Sequence, residues 1–146
     1  MTTQEHLLIS LENRHAANIL AGTKHVELRR RKMHVNEGDL VWFYVKKPVA
    51  AVVGCAVVGK CTVDEPAALW KQFGSVSGLV RSEFMGYLDG ATQAFAMGVQ
   101  DPRPIKRPVS LADLRGALPD FHPPQFYCRL NAATALRRLL TSRSKS

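Results

Sequence analysis

Residues 40–45 read Leu-Val-Trp-Phe-Tyr-Val, six consecutive apolar or aromatic side chains that all favour extended backbone. A strand with one face in water alternates apolar and polar residues, so an unbroken run needs cover on both faces. Lys46-Lys47-Pro48 interrupts it, and residues 49–62 resume as a second strand, with Gly54 and Gly59 as expected bulges or bends. The chain must therefore build a sheet with packed material on both sides.

The flanking segments supply that material. Residues 6–11 read as a short, mostly apolar strand, and residues 14–21 as a helix with Asn13 as its cap and Gly22 as its stop. From His25 to Arg31, Val26 and Leu28 alternate with charged residues, the period of a half-buried strand that puts Glu27 and Arg29 on one polar face. Helices are expected at 64–73, with Asp64 as cap and Pro66 in the first turn, and at 81–88. A strand at 91–99 precedes a Pro-rich stretch, 101–108, expected as an ordered loop or an edge. Ser110 opens a further helix, 126–130 forms a last strand, and Asn131 caps a C-terminal helix. Short strands with short interspersed helices fit an α+β mixed barrel, because closure removes exposed strand edges.

The charge is uneven. Twenty Lys and Arg against twelve Asp and Glu give +8, five of the basic residues lie between Lys24 and Lys32, and no acid follows Asp120. This distribution suits a polyanionic partner. No apolar run approaches the roughly 20 residues of a membrane span. The N-terminal stretch lacks the pattern of a secretory signal, and Cys55, Cys61 and Cys128 form no CxxC pair, so a cytoplasmic, reduced protein is expected. The five histidines show no metal-ligand spacing, and no Gly-rich phosphate loop is present; neither metal nor cofactor is expected.

Three stretches resemble the ASCH domain family. Gly22-Thr23-Lys24-His25-Val26-Glu27-Leu28-Arg29 carries a G-x-K-x-x-E-x-R pattern, and FYVKKPVAAVVG (43–54) and PPQFYCRL (123–130) follow in order. The resemblance implies a PUA-like β-barrel with short helices packed around it, spanning residues 1–130, with residues 131–146 as a helical extension and frayed tail. It further implies a ligand cleft lined by Lys24, Glu27 and Arg29 and presented to RNA. Two departures stand out. Glu12-Asn13 occupies the place where many relatives carry a basic residue and a proline. Glu27 stands where the family's acetylcytidine amidohydrolases carry a threonine nucleophile, which argues against deacetylation.

Lys24 and Arg29 can hold phosphate, with Glu27 accepting from a base edge or acting as a general base. Arg31 and Lys32 extend the basic patch. Lys46 and Lys47 follow Trp42 and Tyr44, basic groups beside aromatics as in single-strand binders, although alternation sends at least one aromatic to the core. Gln125 sits on a stiff Pro-Pro platform from which it can read a base or bridge to Glu27. The expected partner is single-stranded or structured RNA, or a nucleotide-like ligand. The alternatives are a metal-independent ribonuclease using Glu27 and Lys24, and a regulatory protein-interaction module. For the latter, the C-terminal helix offers a partner surface, including one for a homodimer.

Overall fold

The computed structural model describes residues 3–145. Six strands form one mixed sheet: β1 (His6–Leu11), β2 (Val26–Arg29), β3 (Leu40–Val45), β4 (Ala51–Asp64), β5 (Ala94–Ser110) and β6 (Tyr127–Leu130). The order is β2-β5-β4-β3-β1-β6. β1 and β3 pair in parallel, and every other neighbour is antiparallel. Five helices pack on it: α1 (Asn13–Leu20), α2 (Pro66–Phe73), α3 (Arg81–Tyr87), α4 (Leu111–Ala117) and α5 (Ala135–Ser144).

β3 is covered on both faces, as its composition requires. Leu40, Trp42 and Tyr44 enter one apolar cluster with Leu114, Leu136 and Leu140 of α4 and α5. Val41, Phe43 and Val45 enter a second, with Ile19 of α1 and Phe95 and Met97 of β5. Both aromatics of the Trp42/Tyr44 pair are therefore core residues, at 1% and 3% exposure. A third cluster joins Leu28 to Leu69, Phe84 and Leu88 beneath α2 and α3. The apolar face of α5 is used within the chain: Leu136 and Leu140 are buried, each contributing about 2 kcal/mol.

The sheet curls without closing through backbone pairing. Among the described residues β2 pairs with β5 alone, and β6 with β1 alone. Side chains bridge the gap. Arg29 of β2 donates to the Ser10 carbonyl of β1 at 3.1 Å and to the Phe126 carbonyl just before β6 at 3.4 Å. The segment after β2 adds a bond from the His34 amide to the Tyr127 hydroxyl at 3.1 Å. The result is a barrel with a side-chain seam.

Several expectations shift. The Pro-rich stretch takes the edge alternative and not the loop: it is the second half of β5, which runs for 17 residues beside β4 with three shifts of register. Beyond Gly98 no β2 residue pairs with it, so its prolines lie on a one-sided edge, where a missing N–H is tolerated. Helix caps fall one to three residues from the expected sites. Glu12 and Glu65 hold the first two without a side-chain cap bond, and Thr134 caps α5 by accepting from the Arg137 amide. Ser110 caps α4 through the Asp113 amide at 3.1 Å, as expected.

Gly54 and Gly59 lie where the β4 register slips. A Cβ on Gly54 would stand 2.7 Å from the Arg103 carbonyl oxygen and 2.8 Å from Leu20 Cδ2. Gly54→Ala should therefore lower unfolding stability by about 2 kcal/mol, read as a reduced urea midpoint at unchanged slope.

Candidate functional site

The connection from α1 to β2 positions the first functional group. Gly22, at φ +82°, turns the chain in the left-handed region, and the Thr23 and Lys24 amides both donate back to the Asn18 carbonyl. The His25 amide then bonds to the Val76 carbonyl at 2.7 Å, holding this segment against the 3-10 turn Gly74–Val76. Lys24 lies beneath it with its ammonium donating to the Ser77 carbonyl.

All four residues of β2 are buried. Glu27 and Arg29 share a face, as the alternation requires, but that face lines a cleft instead of meeting open solvent. Lys24, Glu27 and Arg29 are 2%, 6% and 7% exposed. The Glu27 carboxylate stands 3.1 Å from Arg29 and 3.8 Å from the Lys24 ammonium, one oxygen toward each. One buried anion thus serves two buried cations.

Burial lowers the Lys24 pKa, an effect that Glu27 opposes and that Arg14 and Arg29 reinforce. His15 is lowered for the same first reason, with the Lys24 charge adding to it. His15 Nδ1 and Arg29 Nε are buried polar atoms without a hydrogen-bond partner among the described residues.

The cleft has a volume of about 270 Å³, just below the roughly 300 Å³ at which ligand pockets ordinarily begin. Its floor is the Lys24–Glu27–Arg29 cluster. Ser10 and Glu12 flank it at the end of β1, and Arg14 and Lys46 are exposed cations at its rim. Arg14 bonds to Glu83 of α3 at 2.7 Å, and the Tyr87 hydroxyl donates to the Leu28 carbonyl at 3.3 Å. Four Lys or Arg side chains against three carboxylates make a mildly cationic cleft with a charged, desolvated floor. Such a floor can orient a phosphate and exchange protons with it.

Of the residues singled out in the sequence, Lys24, Glu27, Arg29 and Lys46 line this cleft. Lys47 is exposed on the turn beyond Lys46, and Lys32 is exposed after β2. Arg31 is exposed too, with its guanidinium 4.9 Å from the centre of the Phe126 ring. Gln125 is exposed and makes no bond to Glu27. Its neighbours act through the backbone: the Pro124 carbonyl accepts from Ser10 Oγ at 2.6 Å and the Phe126 carbonyl from Arg29. Sequence reasoning missed Arg14, His15 and Tyr87. The first two lie near the start of a helix that opens directly after β1, and only that placement hints at a cleft role. Among the described residues no group of three His, Cys, Asp or Glu is placed to hold a metal ion, and no helix is long and apolar enough to cross a membrane.

A curled mixed sheet with helices packed on both faces is a PUA-like fold. The ASCH domain model matches residues 9–101, and the chain belongs to the ASCH domain family. It is 31% identical over 122 residues to the ASCH domain-containing ribonuclease of Zymomonas mobilis, covering 84% of this chain and 82% of that protein. The crystal structure of ASCH from Zymomonas mobilis superposes with a TM-score of 0.87 at 29% identity, over 93% of this chain and 94% of that one. Human THYN1, crystallised with DNA containing 5-methylcytosine, gives a TM-score of 0.62 at 12% identity over 98% and 99% of the two chains; this likeness shows a shared fold alone.

Glu27→Ala removes the counter-charge of two buried cations and should cost about 3 kcal/mol in denaturant unfolding. Glu27→Gln, which still offers Arg29 an oxygen, should lose less.

The lowered His15 pKa sets a pH dependence. The unfolded chain takes up the proton first, so the stability is complete above the ordinary histidine value and is lost as pH falls below it. The urea midpoint should therefore drop between about pH 7 and pH 5, and drop less in His15→Gln.

Proposed function

We propose that this protein binds single-stranded RNA in the cleft and cleaves it without a metal ion. One observation carries the reading: a carboxylate and an ammonium of lowered pKa, 3.8 Å apart, form the floor of a cleft of about 270 Å³ beneath two rim cations. Arg14, Arg29 and Lys46 hold the phosphodiester. Glu27 takes the proton of the 2′-hydroxyl, whose oxygen attacks phosphorus. Lys24, made a readier acid by burial, gives a proton to the departing 5′-oxygen. The products are a 2′,3′-cyclic phosphate and a 5′-hydroxyl end. The cleft is too small for a duplex, and splayed single strands present the base edges and backbone freedom this geometry needs. The Zymomonas relative's ribonuclease name, at 31% identity over most of both chains, supports RNA as the substrate class.

The test is incubation of end-labelled single-stranded and hairpin RNAs with the protein in EDTA, on native and denaturing gels. Glu27→Gln and Lys24→Met are run alongside after their folds are checked by circular dichroism. Cleavage that leaves cyclic phosphate ends, and that falls by roughly 10²–10⁴-fold in Glu27→Gln, is the expected result. A native shift of uncut RNA would leave a binding protein and remove the catalytic roles. Neither shift nor cleavage at low salt would remove RNA as the ligand.

A further inference from the structure

At the other end of β1 from the cleft, a second groove runs along α5. Among the described residues it is lined by His6, Arg137, Arg138, Thr141, Ser142 and Lys145, with no carboxylate in that wall. His6 and Ser10, which face the two sites, are four strand residues apart, roughly 13 Å along β1.

His6 is what makes this groove more than a basic surface. It is 7% exposed, and its Nδ1 accepts from Trp42 Nε1 at 3.2 Å. An indole N–H only donates, so Nδ1 carries no proton and Nε2 carries one. That Nε2–H has no hydrogen-bond partner among the described residues, while the ring lines the groove. Burial and the Arg137 charge both favour this neutral form. The acids nearest His6 are Glu5 and Asp39, and Asp39 is already engaged by the Glu5 and Asn36 amides. Arg137 and Arg138 each use one nitrogen on a backbone carbonyl, those of Leu130 and Ala133, which fixes their direction while leaving further donors.

We propose that this groove is a phosphate-binding site separate from the cleft. The His6 Nε2–H donates from its floor, Arg137, Arg138 and Lys145 supply charge, and the hydroxyls of Thr141 and Ser142 add hydrogen bonds. The ligand chemistry is a phosphate group, whether free or in the backbone of a nucleic acid strand. The proposal does not depend on what the cleft does.

The two tryptophans make the test internally controlled. Trp42 bonds to His6, whereas Trp70 packs against Phe84 on the far cluster. The two indole N–H signals are followed in ¹⁵N-resolved NMR while inorganic phosphate is added at constant ionic strength. A parallel titration uses a short single-stranded RNA. The Trp42 signal should move saturably and the Trp70 signal should stay. Arg138→Gln combined with Lys145→Gln, both exposed positions, should weaken phosphate by about tenfold or more. Tighter saturation by RNA would assign the site to a backbone phosphate, and saturation by inorganic phosphate alone to a free one. A Trp42 signal unmoved by both ligands, or moved equally in the double variant, would overturn the proposal.

Discussion

Everything at the functional end of this molecule hangs on one carboxylate shared between two buried cations. Glu27 meets Arg29 at 3.1 Å and Lys24 at 3.8 Å, and each of the three side chains is less than a tenth exposed. Desolvating three charges costs more than their mutual attraction ordinarily returns. The cluster nevertheless performs a task that backbone pairing leaves undone. β2 pairs with β5 on one side, and Arg29 joins it to β1 and to the residues before β6 on the other. The same guanidinium closes the barrel seam and forms the floor of the cleft, so local shape and local chemistry cannot be altered separately.

The stability that tolerates such a cluster comes from elsewhere. β3, β4 and the first half of β5, the half paired with strands on both sides, bury apolar side chains on both faces, and α1, α4 and α5 cover most of them. The charged floor lies at the margin of that core, where α1 turns into β2 and α3 packs alongside. This separation places a desolvated charge cluster at the edge of a scaffold whose interior is mainly apolar, with the Trp42–His6 bond among its few buried polar contacts.

Much of this was legible in the chain, and the failures have physical reasons. The run at 40–45 announced a doubly covered strand because no solvent-facing residue interrupts it. Gly22 marked a helix stop and Gly54 a register slip because each position needs a missing Cβ or a positive φ. Lys24, Glu27 and Arg29 were recognisable together because one short segment carries all three. Arg14 and His15 were not, since they enter the cleft from another element and read locally as the polar side of a helix. For the Pro-rich stretch the sequence left two readings, an ordered loop or an edge, and the structure takes the edge through Pro102, Pro104 and Pro108. Proline ordinarily ends a strand, and only the long partner β4 makes the extended backbone worthwhile there. Asn131 looked like a helix cap but organises the preceding turn, leaving the cap to Thr134.

That second half of β5 has one more consequence. Among the described residues no strand pairs with its outer edge from residue 100 onward, and it is largely exposed, an arrangement that ordinarily invites another molecule to add a strand and seed aggregates. Pro102, Pro104 and Pro108 withhold the amide donors such an addition would need, and Arg103, Lys106 and Arg107 set like charges against one another in any self-pairing. The segment that looked least like a strand is thus the stretch of edge least suited to accept an added strand.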